Sequence, residues 1–232
     1  FDSQAVQYVI NPNDEFGLTR AMWIKEKQNA TIDVINVGKS NTEPTLRKTL
    51  AIGADKAIRI DSNPIDGSFV AREIAEYIKS NSYDLIIAGR ESIDYNGAMV
   101  PGLIAGLLQI NFVTNCTKLE IDNNTATIER EIDGGKEILS CELPLIIGGQ
   151  KGLVEESDLR IPNMRGIMAA RTKPLTVVPA VAFTKNGVFP ASKSLSMAAF
   201  NESTRISPTS FTGIFRTFSL PIPINAAFFS ME

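Results

Sequence analysis

The chain is 232 residues long, 44% hydrophobic and 21% charged, with a net charge of −3, which suits one large α/β domain or one domain with an appendage. A sequence pI near 5.2 excludes the basic footprint of a nucleic-acid binder, and no run of about 18 apolar residues is present to insert across a membrane. There is no histidine, so Ser-His and Cys-His nucleophile pairs, histidine bases and His-containing zinc sites are all excluded. Cys116 and Cys141 are the only cysteines and form no CxxC. They read as free thiols of a cytosolic or organelle-matrix protein.

In chain order, residues 14–28 read as a helix with Phe16, Trp23 and Ile24 on one face, following the turn dipeptide Asn11-Pro12. Residues 31–37 alternate as a strand that stops at Gly38. Thr42 reads as the N-cap of a helix through Leu50 and Ala51, which Gly53 ends. A short strand at 57–60 follows. Val70, Ile74 and Ile78 fall four apart and mark the buried stripe of a third helix. Residues 83–88 form the next strand and 97–108 the next helix. Strands alternating with helices in this way imply right-handed crossovers and a mostly parallel, Rossmann-like sheet with helices on both faces. Such folds begin on a central strand, whereas this chain starts at Phe1 and reaches its first helix at once. A first strand is therefore expected to be missing, by truncation rather than by removal of a targeting peptide.

From Phe112 onward the pattern changes. Residues 117–121, 125–131 and 137–142 alternate with period two, and Asn123-Asn124 and Gly134-Gly135 are hairpin signals. Pro144 opens a short buried strand at 145–147, which Gly148-Gly149 ends. The expectation is an antiparallel β-meander on the sheet edge. Beyond about Lys173 the sequence is rich in Ser, Pro and Phe without a period, and reads as an irregular C-terminal arm or tail. The division drawn from this is an α/β domain over residues 1–176 and an arm over 177–232.

Ligands of open parallel sheets sit beyond the carboxyl ends of the strands, where the strand order reverses. Three loops meet that condition: Val37-Gly38-Lys39, the loop 89–100, and 11–14 if a strand precedes it. In the 89–100 loop Gly89 permits close backbone approach, Arg90 can pair with phosphate, and Ser92, Asp94 and Asn96 can hydrogen-bond a ribose or base. Gly97 reads as the start of a helix whose amides favour an anion. An equally good reading is a capped turn, with Asp94 or Asn96 capping the helix and Arg90 in solvent. The loop contains neither GxGxxG nor GxxxxGK[ST].

Two further segments stand out. Residues 129–137, Glu-Arg-Glu-Ile-Asp-Gly-Gly-Lys-Glu, form a charged hairpin that reads first as solvated strands with cross-strand ion pairs. Residues 159–168 carry Met and Arg in an irregular segment that suits either a protein-binding surface or a loop packed back on its own domain.

Four motifs in the right order resemble the electron-transfer flavoprotein β-subunit family, over roughly residues 5–176. They are Asn11-Pro12-Asn13-Asp14-Glu15, the turn Thr49-Leu50-Ala51-Ile52-Gly53-Ala54-Asp55-Lys56-Ala57, the loop Gly89-Arg90-Glu91-Ser92-Ile93-Asp94-Tyr95-Asn96, and the hairpin Arg130-Glu131-Ile132-Asp133-Gly134-Gly135-Lys136-Glu137 followed by Pro144. The resemblance implies an electron carrier subunit without catalytic residues of its own, paired with an α subunit that holds most of the FAD. It implies electrons received from acyl-CoA and related dehydrogenases and passed through the electron-transfer flavoprotein-quinone oxidoreductase to the quinone pool, in the bacterial cytoplasm or the mitochondrial matrix, the former favoured. It also implies a structural AMP, contacted by Asn11, Pro12, Asn13 and Asp14, by Val37, and by Gly89 through Asn96 with Gly97, Ala98, Met99 and Val100. Some relatives hold a second FAD there instead. The family's partner-docking loop falls on residues 159–168, with Met164 or Ile161 as the anchor and Arg165 and Ile167 beside it. Departures from the family are Arg90 for a lysine, Gly148 for a small hydroxyl, thiol or methyl residue, Met164-Arg165-Gly166 for Leu-Pro-Asn, and a tail that ceases to match after about Ala182. The alternative is a stand-alone adenine-nucleotide-binding module of the universal-stress-protein type.

Overall fold

The structure is a computed structural model that describes residues 7–94 and 96–181, together with the backbone strands 214–216 and 225–227. Five helices are described: α1 (Pro12–Gln28), α2 (Glu43–Ile52), α3 (Gly67–Ser80), α4 (Val100–Leu108) and α5 (Met164–Ala170). The strands are β1 (Thr31–Gly38), β2 (Lys56–Asp61), β3 (Leu85–Gly89), β4 (Asn111–Asp122), β5 (Thr125–Ile132), β6 (Gly135–Glu142), β7 (Leu145–Gly149), β8 (Leu175–Pro179), β9 (Ile214–Arg216) and β10 (Asn225–Ala227). They form one sheet in the order β6-β5-β4-β7-β3-β9-β10-β1-β2-β8.

Period-two alternation decides which core each strand residue enters. Ile32, Val34, Leu85, Ile87, Leu145 and Ile147 point to the face covered by α1 and α2, with Phe16, Leu18, Met22, Leu46 and Leu50. Their neighbours Ile35, Val37, Ile86 and Ile146 point to the opposite face, covered by α3 and α4 through Phe69, Val70, Ile74, Ile78, Val100 and Ile104. Both faces being buried, these strands read as nearly continuous apolar runs. The expected doubly covered α/β sheet is therefore present. The expected stripe Val70, Ile74 and Ile78 is buried, while Trp23 only partly packs against its core.

The meander is also as expected: β4, β5 and β6 pair antiparallel at one edge. Register places Arg130 opposite Glu137, and their ion pair spans 2.6 Å. Lys136 meets Glu129 diagonally at 2.7 Å. Glu129 and Glu137 of this hairpin are thus taken up by cross-strand cations. At the other edge β8 adds in parallel to β2, so the boundary drawn at residue 176 falls inside a strand.

β1 and β3 run parallel, and the sheet changes winding direction between them. The place between them is taken by two short C-terminal strands. β10 pairs with β1 at Thr31 and Ile32, and β9 pairs with β3 at Leu85 and Ile86. Both pairings use only the N-terminal ends of β1 and β3. An uncovered strand edge presents unpaired amides and carbonyls, so the carboxyl-end half of this slot needs other partners. One of them comes from α1.

Candidate functional site

Gly89 is the last residue of β3. Arg90 donates its amide to Gly149 O on β7 at 2.8 Å, so the Gly89 N–H points the other way, into the slot. There the carboxylate of Asp14, in the first turn of α1, accepts it at 2.6 Å. Asn11 Nδ2 donates to the second Asp14 oxygen at 2.9 Å and lies 2.9 Å from the carbonyl of Glu91. Asn13 Nδ2 reaches the same carbonyl at 3.1 Å. Pro12 stands in the first helical turn, where a missing N–H costs nothing. A Cβ at position 89 would lie 2.7 Å from Asn11 Nδ2 and 2.8 Å from Asn13 Cβ, so only glycine lets the two segments touch. The segment 11–14 and the start of the loop after residue 88, each expected at a strand end, are thus in contact. We expect Gly89→Ala to push α1 away from β3 and cost about 1–3 kcal/mol, read from denaturant melts.

Two features of this junction need an explanation. Asn11 is buried, yet its Oδ1 finds no partner among the described residues, and such an atom costs about 1–3 kcal/mol if left unpaired. Asp14 is fully buried, and burial pushes its pKa up to about 7, against the opposing bonds from Gly89 and Asn11 and with a small further push from neighbouring Glu15. The segment is polar, desolvated and partly unsatisfied, which suits a ligand contact better than a structural turn.

The rest of the loop corrects one expectation. The helix starts at Val100, not Gly97. An antiparallel bridge joins Ser92 to Gly97, with Ser92 N donating to Gly97 O at 2.9 Å. Asn96 takes a left-handed conformation, φ 54°, which asparagine tolerates better than most residues. These bring Ser92 and Gly97 together, and Pro101 then pre-sets the first turn of α4. Neither Asp94 nor Asn96 caps the helix: the N-cap position is Met99, with no side-chain cap bond. Ser92 Oγ hydrogen-bonds the Asp94 carboxylate instead. Val100 is buried, Ile93 and Met99 are more than half exposed, and Gly97 and Ala98 are intermediate. Tyr95 lies outside the described residues. The uncapped amides at the start of α4 remain available to an anion.

Val37 is at the carboxyl end of β1, on the same sheet edge as Gly89. Its side chain packs into the α3/α4 core, so it offers the site backbone only. With β9 and β10 between them, β1 and β3 stand three strand spacings apart, about 14 Å. The sheet therefore does not bring Val37 beside the 89–100 loop.

Arg90 is not an idle surface cation. Its Nε and Nη2 donate to Glu91 Oε1 at 3.0 and 2.7 Å, and Nη1 donates to Gln150 Oε1 at 3.0 Å. Gln150 Nε2 in turn donates to the Glu131 carboxylate of the hairpin. Gln150 is buried and carries no motif, so nothing in the sequence points to it.

The 159–168 segment is less irregular than expected. Asn163 caps a short helix, α5, by accepting the Gly166 amide at 2.7 Å. Arg47 of α2 donates to the carbonyls of Ala170 and Lys173, and Lys173 Nζ reaches back to Leu50 O and Ala54 O. Clamped in this way, the segment leaves Ile161 84%, Met164 76%, Met168 56% and Ile167 41% exposed, with Arg165 exposed beside them. Of its two readings, the loop packed back on its own domain is excluded for these side chains.

Among the described residues no helix is long and apolar enough to cross a membrane, and no group of three acidic, Cys or His residues could hold a metal. Comparison with known sequences decides the family. A model of the electron transfer flavoprotein domain matches residues 1–183. The chain belongs to the electron transfer flavoprotein family. It is 37% identical over 173 residues to the electron transfer flavoprotein subunit beta of Bacillus subtilis, covering 73% of this chain and 66% of that one. It is 35% identical to the subunit beta of Syntrophomonas wolfei, covering 76% and 70%, and 34% identical to the mitochondrial subunit beta of Arabidopsis thaliana, covering 75% and 70%. The chain thus spans about two thirds of the length of these family members.

Proposed function

We propose that the chain is the β subunit of a heterodimeric electron transfer flavoprotein that binds AMP as a structural ligand. The observation that carries the nucleotide reading is the buried, partnerless Asn11 Oδ1 at the seam where the 11–14 segment meets Gly89 and Glu91. It is an acceptor, and the exocyclic amine of adenine or a ribose hydroxyl is a donor. Asn11, Pro12, Asn13 and Asp14 line the pocket together with the loop from Gly89 to Val100, and the backbone at Val37, about 14 Å away across the slot, would meet only the far end of the ligand. The uncapped start of α4 and Arg90 serve the phosphate. The loop's carboxylate, amides and guanidinium hold a ligand, and none is arranged with a nucleophile.

In this reading the FAD of the α subunit supplies the redox chemistry when bound. The present chain supports that subunit and presents Ile161, Met164, Arg165 and Ile167 to acyl-CoA and related dehydrogenases, from which electrons pass by the quinone oxidoreductase to the quinone pool. The setting is the bacterial cytoplasm or the mitochondrial matrix. Exposed Met and Ile on a clamped short helix support the docking role, since such side chains are adaptable anchors.

The test is co-expression with the α subunit. A yellow heterodimer that releases AMP on denaturation is expected, whereas a colourless homodimer binding ATP overturns the reading. Within the heterodimer, Met164→Ala is expected to slow electron transfer from the dehydrogenase at least tenfold, as removal of a hot-spot anchor does. Flavin content and thermal midpoint should stay unchanged, because Met164 is exposed.

A further inference from the structure

We propose that Gln150 is the positioning residue for Arg90, and that through it the charged hairpin sets the affinity of the site for an anionic group. The inference rests on the nucleotide reading above and adds a residue and a coupling to it.

Gln150 follows β7, directly beyond the last residue paired with β3. Its backbone is fixed on both sides: the amide donates to Cys116 O at 3.2 Å, and the carbonyl accepts Leu153 N at 3.1 Å. Its side chain is buried at 7% exposure and sits between two residues from distant motifs, Arg90 of the loop and Glu131 of the hairpin. A neutral amide is the side-chain group that accepts from a cation on one end and donates to an anion on the other. Glutamate would accept from Arg90 but set a second carboxylate against Glu131. Leucine or methionine would make neither bond.

The consequence concerns the orientation of the guanidinium. Nε, Nη1 and Nη2 of Arg90 each use one hydrogen on Glu91 or Gln150, three of the five available. A guanidinium recognises a phosphate through planar, paired N–H donors, so its plane must be held. Glu91 is an immediate neighbour in sequence and moves with the loop. Gln150 is sixty residues away on a strand-anchored turn, so it supplies the fixed reference. Glu131 then fixes Gln150, and the chain of bonds runs from hairpin to loop without a break.

The test compares AMP with adenosine, using the heterodimer stripped of nucleotide and measured by calorimetry. Adenosine shares the base and ribose but lacks the group that Arg90 would meet. Gln150→Met is expected to weaken AMP roughly tenfold, the effect of misplacing one charged hydrogen bond, and to leave adenosine unchanged. Arg90→Met should match that loss, and the double variant should add nothing to it, since both act on one interaction. Gln150→Glu should also weaken AMP. Adding Glu131→Gln should restore it, because the carboxylate introduced at position 150 can then accept from both neighbours. If Gln150→Met weakens both ligands equally, or neither, or if the double variant is additive, the positioning role is wrong while the nucleotide reading stands. If the unaltered protein binds neither ligand, both fall together.

Discussion

Replacing Asp14 with asparagine is expected to flatten the dependence of folding stability on pH between about pH 4 and pH 7. Burial raises the Asp14 pKa from 3.8 to about 7, so in that interval the folded chain binds a proton that the unfolded chain has released. Stability must then fall as pH rises. The contribution is fully present below the unfolded value of 3.8, is lost progressively towards pH 7, and changes no further above it. A difference of about three pKa units corresponds to roughly 4 kcal/mol at most. Asparagine can still accept the Gly89 amide through its Oδ1, but its own amide then faces Asn11 Nδ2, and the lost bond costs about 1 kcal/mol at every pH. The variant should therefore be less stable than the natural chain near pH 4 and more stable near pH 8. Urea melts across that range read the crossing directly. Parallel profiles for the two proteins would mean that Asp14 stays ionised throughout and that water reaches it.

Gly166→Ala is expected to detach α5 from the domain. A Cβ there would lie 2.2 Å from the backbone carbonyl oxygen of Ala51 and 3.3 Å from its carbon, and neither atom can rotate out of the way. α2 is held by the buried Leu46 and Leu50, so the helix that yields is α5, seven residues long. Overpacking of this kind costs about 1–3 kcal/mol. The segment 159–173 should become susceptible to protease while the fold elsewhere persists. Under the proposed roles, transfer from a dehydrogenase in the heterodimer should fall as far as in Met164→Ala, with AMP affinity intact because the segments 11–14 and 89–100 lie elsewhere. The control is Gly106→Ala on α4, where a Cβ meets nothing within 4 Å. Helix propensity alone should stabilise that variant by about 0.5–1 kcal/mol. Equal behaviour of the two variants would show that α5 does not depend on close approach to α2.

Much of the fold was legible in the sequence because its signals are local. The period of 3.6 in Val70, Ile74 and Ile78, the period of two in 117–142, and the turn residues Asn123-Asn124 and Gly134-Gly135 each act over a few positions. Where local signals were misread, a contact outside the helix or strand pattern had intervened. Gly97 looked like a helix start, but the Ser92–Gly97 bridge holds it in a turn and hands the start to Val100. Thr42 is the N-cap residue of α2 as read from the sequence, but its hydroxyl makes no cap bond and donates instead to Asn36 Oδ1 of β1 at 2.9 Å. Residues 164–170 looked irregular because a seven-residue helix is too short to show a period, and only its docking on α2 sustains it.

By itself the sequence determined the alternation of elements, the two-faced sheet, the loops at the strand ends and the family. Hydrophobic period, glycine and proline placement and motif order are all written along the chain. Only the tertiary structure decided which of those loops meet. Asp14 and Gly89 are 75 residues apart, Gln150 and Arg90 are 60 apart, and the seating of α1 on the sheet and the order of its strands make them neighbours. The same order inserts β9 and β10 between β1 and β3, which places Val37 apart from the loop it was grouped with. Burial of Asp14 and the unpaired oxygen of Asn11 are likewise products of that packing, since desolvation depends on what covers a group and not on its sequence neighbours.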